Sequence, residues 1–256
     1  GEIHETREKP HRFSPFKWFF RTFPQTFRRH VNAFLLSVTI FALGSIFGAA
    51  AVGLDSEAGE AIMPFSQLME NPGKRVEREE QHVNDELEGH KTTFSAYLMN
   101  NNIRVSIFAM ALGMTWGVGT ILVLFYNGVI LGAVCLVYVA AGESTFLLGW
   151  LLPHGAIEIP AVLLAGQTGL VLANTIVGKG QRTPLRQRLR EVSGDLVTLI
   201  FGVAVLLVWA GFVEAFLSQY HEPVIPYWLK IAFGSLELVL LGLFLGRSGR
   251  HTPSNP

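Results

Sequence analysis

His154 and Glu158 stand four residues apart in the segment Leu152-Pro153-His154-Gly155-Ala156-Ile157-Glu158-Ile159-Pro160-Ala161. They are the only ionisable groups between Ser144 and Val177. On a helix this spacing puts the imidazole and the carboxylate on one face. Three kinds of chemistry use such a pair. It can lock helices together, with the carboxylate accepting hydrogen bonds from the histidine or from Asn or Trp side chains of a neighbour. It can line a path for an ion, a proton or a small solute. It can also hold a metal or perform hydrolysis. Zinc normally takes three protein ligands, and the metalloprotease spacing His-Glu-x-x-His does not occur in the chain. Neither Gly-x-Ser-x-Gly nor a Walker A phosphate loop occurs either. The expectation is a non-enzymatic protein with no cofactor and no metal, a membrane-embedded His/Glu hydrolase being the enzymatic alternative.

Two more carboxylates join the candidates because of where they lie. Glu214 is the only charge between Leu196 and Ser218, and Glu237 shares the run Val224 to Gly246 with Lys230 alone. An ionisable side chain near a bilayer centre costs about 2.5 to 3.5 kcal/mol on insertion scales, so each one calls for a role. Glu214, one turn before the outer end of its helix, either snorkels to the surface or faces the segment before Pro153. Glu237 sits nearer the middle of its helix. The single cysteine, Cys135, rules out an internal disulfide or a multi-cysteine zinc site and reads as a small buried hydrophobe.

The elements that must position these groups are membrane helices. Of 256 residues, 50% are hydrophobic and only 16% charged, below the roughly 25% of a soluble domain. Val31 to Leu54 is uncharged and long enough to cross a bilayer, which takes about 20 apolar residues. Val105 to Gly142 is uncharged over about twice that length, and three further apolar runs follow. The double run must fold back, and Tyr126-Asn127-Gly128 supplies a turn-forming pair. This predicts one helix over about 103–126 and another over about 128–141. Pro153 is the expected break in the next run: a short re-entrant or interfacial piece over 144–152, then a crossing over 153–177. His154 then lies near the outer end and Glu158 one turn deeper. The fold class is therefore all-α, a polytopic bundle with about six transmembrane helices over 31–246. Gly44-x-x-x-Gly48, Gly113-x-x-x-Gly117 and Gly128-x-x-x-Gly132 allow close helix contacts, within the chain or across a homodimer face.

The 20 basic and 20 acidic residues cancel, but they are not mixed. Residues 1–30, 178–194 and 247–256 carry 14 basic and 4 acidic side chains, whereas the loop 55–102 carries 10 acidic and 4 basic ones. Excess Lys and Arg marks cytoplasmic segments. With the amino-terminal segment inside, six crossings leave the acidic loop outside and both the basic loop and the tail at 247–256 inside. This places both termini in the cytoplasm. No cleavable signal peptide is evident in the first apolar run. Phe13, Phe16, Phe20, Phe23 and Phe27 form one helical stripe among Lys17, Arg21 and Arg28. That segment suits an interfacial helix on anionic lipid or a helix packed under the bundle, bent in either case by Pro24. Membrane lipids are thus one expected partner. Protein partners would engage the 55–102 loop, read as a small cap of two or three short helices, or the basic cytoplasmic segments. Nothing points to nucleic acid.

His154-Gly155-x-x-Glu158-x-Pro160-Ala161, preceded by Leu152-Pro153 and followed by Ala165-Gly166-x-x-Gly169, resembles the signature of the stage II sporulation protein M family. Asn100-Asn101-Asn102, Asn127-Gly128 and Ala210-Gly211-x-x-Glu214-x-Phe216 are similar to other recurring features of that family. The resemblance covers about residues 30–220. It implies an integral protein of the bacterial or archaeal cytoplasmic membrane. The best-known member acts with peptidoglycan-degrading partners during engulfment of the forespore. The resulting expectation is a scaffold that assembles or localises partner proteins, cell-envelope remodelling factors among them. The alternative is a permease or channel subunit with a path lined by His154, Glu158 and Glu237.

Overall fold

The computed structural model describes residues 14–55, 58–62, 71–81, 88–180, 182–218 and 224–250, with backbone alone at 60, 78–81, 88–98 and 218. Among the described residues every regular element is helical. The polypeptide forms a polytopic helical bundle, as the hydropathy pattern requires. In chain order the helices are α1 Phe23–Arg29, α2 Val31–Leu54, α3 Ala58–Ile62, α4 Pro72–Gln81, α5 Glu88–Ala111, α6 Val118–Ala140, α7 Ser144–Val177, α8 Leu185–Val213 and α9 Tyr227–Arg247. Among the described residues five helices are long and apolar enough to cross a membrane: α2, α6, α7, α8 with its continuation to Leu217, and α9. The sequence predicts about six, and the remaining one is α5, which runs back between the parallel α2 and α6 and packs along α7 but is too polar in its first half to count among the five.

The expected turn at Asn127-Gly128 is absent. The chain reverses over Leu112–Gly117 instead, through a 3-10 turn at Leu112–Met114 and left-handed backbone at Trp116 (φ 53°) and Gly117 (φ 85°). Thr115 stabilises the reversal. Its hydroxyl donates to the Leu112 carbonyl and accepts from the Gly119 N–H, as an N-cap does. Thr120 reaches back across the turn to the Ala109 carbonyl at 2.8 Å. Asn127 and Gly128 lie inside α6. There Asn127 donates to the Val123 carbonyl of its own helix at 2.8 Å, and Gly128 is needed for packing. A Cβ at Gly44 or Gly48 would strike the carbonyl of Phe125 or Val129; one at Gly128 or Gly132 would strike that of Phe41 or Ser45. The reciprocal glycine pairs bring α2 and α6 into parallel backbone contact within the chain. Gly113 and Gly117 belong to the turn instead, although Gly113 also meets the Gly169 carbonyl of α7.

The second correction concerns Pro153. Residues 144–177 form one continuous helix with both Pro153 and Pro160 inside it, not a re-entrant piece followed by a crossing. A proline in a membrane helix is tolerated when neighbours occupy the space around the lost bond, and here α7 is enclosed. In its most apolar stretch 83% of the residues are buried, and α2, α5, α6, α8 and α9 all pack around it. At 1.5 Å per residue its 34 residues span about 51 Å. His154 therefore sits about 15 Å from its start rather than at its outer end.

The amino-terminal segment docks on the bundle. Phe23, Pro24, Thr26 and Phe27 are buried, with the Phe23 ring against Gly202 of α8, while Phe16 and Phe20 remain exposed. Phe13 lies outside the described residues. Pro24 has no N–H to give to the Phe20 carbonyl, and that carbonyl instead accepts from Ser248 Oγ at 2.6 Å. Arg28 donates to the carbonyls of Leu245 and Ser248, each at 2.7 Å. Residues 15–29 and the end of α9 thus lie at one end of the bundle. Gln167 of α7 closes the bend between α1 and α2 by donating to the Phe27 and His30 carbonyls.

Candidate functional site

Three of the candidate acid and base groups converge at α7. Glu214 begins a single π turn, Glu214–Ser218, that continues α8, and its Oε2 lies 2.8 Å from His154 Nδ1. The two side chains pair as imidazole and carboxylate. Both side chains are less than one-tenth exposed, so Glu214 does not snorkel; it faces α7. Glu158, one turn further along α7 and also buried, accepts a hydrogen bond from the Asn102 amide of α5 and lies within electrostatic range of His154 and Glu214. Lys230 of α9 completes the group. It is wholly buried and acts on His154 from a third helix. The pattern of 2 carboxylates, one ammonium and one imidazole on three helices is the arrangement expected when intramembrane charges neutralise one another.

A cavity of about 130 Å³ opens beside this cluster, between α2, α5, α6 and α7. Its polar wall consists of Asn101, Asn102, Asn127, His154 and Glu158, with Trp150 above His154 at a ring separation of 6.3 Å. At about 30 Å³ per molecule it has room for a few waters with partners to hold them. Gly155 also lines this space, and a side chain there would meet only Leu151 and Ile159 at ordinary contact distance. Its lack of a side chain widens the cavity; the backbone does not demand it. Gly128 faces α2 and is absent from the cavity wall. Among the described residues no three His, Cys, Asp or Glu side chains gather as a metal would require.

Glu237 is a separate site. Trp209 Nε1 of α8 donates to its Oε1 at 2.6 Å, and it does not line the cavity.

Lys230, Asn102 and Trp209 were missed as site residues. Lys230 carried a usable signal, since the insertion cost that singled out Glu237 applies equally to the cation sharing its run. Asn102 and Trp209 are uncharged, and only tertiary contacts reveal their partners.

A family model described as stage II sporulation protein M matches residues 37–219. The chain belongs to that family. In this stage II sporulation protein M family member the matched region holds His154, Glu158, Glu214 and Asn102. The segment before α2, and α9 with Lys230, lie outside it. No curated protein and no solved structure matches the chain.

Proposed function

We propose that this family member is a non-enzymatic integral scaffold of a bacterial or archaeal cytoplasmic membrane, where it assembles or localises partner proteins such as peptidoglycan-remodelling factors. The observation that carries this reading is how the intramembrane charges are used. His154, Glu158, Glu214 and Lys230 are all buried and spread over three helices, so their attraction holds the bundle together. In this reading residues 15–29, the basic loop 178–194 and the end of α9 face the cytoplasm, as the excess of Lys and Arg there favours. The 55–102 segment is then the external docking face. Affinity capture of the full chain in mild detergent tests the proposal. Reproducible recovery of an envelope-remodelling protein or a second copy is expected. Recovery of neither overturns it.

A second reading, a permease or channel subunit, is favoured by the polar cavity alone. Its path would run past Asn102, Asn127, His154 and Glu158, with Glu237 off the route. Solute flux in liposomes that is abolished by Glu158→Gln would establish it, and unchanged flux would end it.

A further inference from the structure

The contact that α4 makes with the bundle is unusual for a cap helix. Its sequence, Pro-Gly-Lys-Arg-Val-Glu-Arg-Glu-Glu-Gln, is strongly polar. The side chains of Pro72, Arg75 and Val76 make the approach, and Val76 rests on the apolar cluster around Tyr138 and Trp150. Arg75 goes deepest. It is 2% exposed, its guanidinium lies 4.4 Å from the centre of the Trp150 ring, and its Nη1 donates to the Tyr138 hydroxyl at 2.8 Å. Phe146, stacked on Tyr138 at 6.0 Å, forms a further wall at 5.7 Å from the guanidinium. A planar guanidinium suits this seat because it can stack on the indole and hydrogen-bond in its own plane at once, which an ammonium cannot.

The seat lies directly above the cavity. Trp150 is one helical turn before His154 on α7 and is itself part of the cavity wall. Tyr138 is one turn beyond Val134 of α6, which lines the same space. Arg75 thus rests on the outer side of the ring whose inner side covers His154. We propose that Arg75 is the lid of the intramembrane cavity. Seated in the cage of Tyr138, Phe146 and Trp150, it closes the space lined by His154 and Glu158 from the capped end of the bundle. The cage is accordingly a binding site for a planar organic cation, occupied at rest by the chain's own arginine. A guanidinium group on a partner or solute can take Arg75's place, and α4 then lifts. This inference rests on the cavity geometry and holds for scaffold or permease alike.

The test uses the full chain in nanodiscs, with Cys135→Ala removing the native thiol. Leu131→Cys places a reporter in the cavity wall, and Ser37→Cys places a control in a fully buried site between α2 and α7. A small charged methanethiosulfonate reagent is the probe. Arg75→Ala is expected to speed labelling at position 131 by about tenfold to thirtyfold, the population shift that follows loss of a desolvated cation–π contact. Labelling at position 37 stays unchanged, and guanidinium chloride at sub-denaturing concentration slows labelling at 131 again. Arg75→Lys, which keeps the charge but not the plane, gives an intermediate rate. Unchanged labelling at 131 overturns the proposal. So does an equal rise at 37, which would make Arg75 a general support of the bundle. Should Arg75→Ala fail to elute as a single folded species, Tyr138→Phe instead removes the hydrogen-bond partner of the guanidinium without touching the cavity wall. The same two labelling outcomes then decide.

Discussion

Replacing Glu214 with leucine leaves His154 buried at the centre of the bundle without the carboxylate 2.8 Å away. Replacing His154 with leucine removes the imidazole on which Glu158, Glu214 and Lys230 all act. At an effective dielectric of about 20, unit charges 4 Å apart attract by about 4 kcal/mol. Removing one member of a buried pair typically costs about 3–5 kcal/mol, because the survivor is left uncompensated. In a chain of this size each kcal/mol lowers the melting temperature by about 2–4 °C. Each single variant should therefore melt roughly 6–20 °C below the parent. The double variant His154→Leu/Glu214→Leu is the informative one. It removes both halves of the pair and leaves Glu158 with Lys230, still one charge of each sign. Its melting point should lie well above the sum of the two losses, and a buried pair exchanged for apolar groups can be close to neutral. Thermal unfolding in detergent, followed by tryptophan emission, measures all four corners of the cycle; Trp150 beside His154 serves as a local reporter. Additive losses in the double variant would falsify the pairing, and a bundle held together by its own internal charges would have to be abandoned with it.

Three further outcomes follow from the same contacts. Gly48→Val drives a side chain into the Val129 carbonyl and should cost about 3 kcal/mol or more, whereas Gly242→Val, with open space around it, should be tolerated; equal heat stability of the two would contradict the close α2–α6 contact. Trp209→Phe removes the donor to Glu237 and should lower stability by about 1–3 kcal/mol, and adding Glu237→Leu should restore much of it; no recovery in the double variant counts against the pair. Arg28→Met deprives the Leu245 and Ser248 carbonyls of their donors, so amide exchange at residues 15–29 and 244–250 should accelerate, and unchanged exchange would show that these bonds do not hold the segment down.

How much of the fold was legible depended on which physical constraint each feature obeys. Long uncharged runs must be helices in lipid, because nothing else there satisfies the backbone. Turn positions obey a weaker rule. Both Gly113–Gly117 and Asn127-Gly128 present residues that tolerate left-handed backbone, but a membrane helix also uses glycine for close packing and lets an Asn side chain bond to its own preceding turn. Gly128 carries both signals, a turn pair with Asn127 and a packing spacing with Gly132, and the structure uses only the second; Gly117 takes the left-handed turn, while Gly113 still packs against the Gly169 carbonyl. Thr115, whose hydroxyl links the Leu112 carbonyl to the Gly119 N–H across the reversal, is the distinguishing residue. Pro153 misled for a similar reason. A proline ends a helix in water, where the freed groups gain solvent; in lipid the chain gains nothing by stopping, and an enclosed helix such as α7 runs through it.

The site was legible in its members but not in its pairings, and the reason is energetic. The insertion cost of a charge depends on its position along a helix and is therefore visible in sequence, which is how Glu158, Glu214, Glu237 and His154 were singled out. What offsets that cost is a partner on another helix, and helical rotation decides which one. Glu214 and Glu237 each lie in an apolar run, Glu214 near a helix end and Glu237 nearer the middle. The π turn at Glu214–Ser218 alters the rotation of the end of α8, and Glu214 meets His154 there. Glu237 comes beside an indole rather than a cation. A carboxylate that meets a histidine and a lysine becomes part of a charge network, and one that meets a tryptophan remains a single hydrogen-bonded acceptor. The same insertion cost is thus offset in two ways. The network borders the cavity through His154 and Glu158, and so a search for function should begin at those two residues rather than at Glu237.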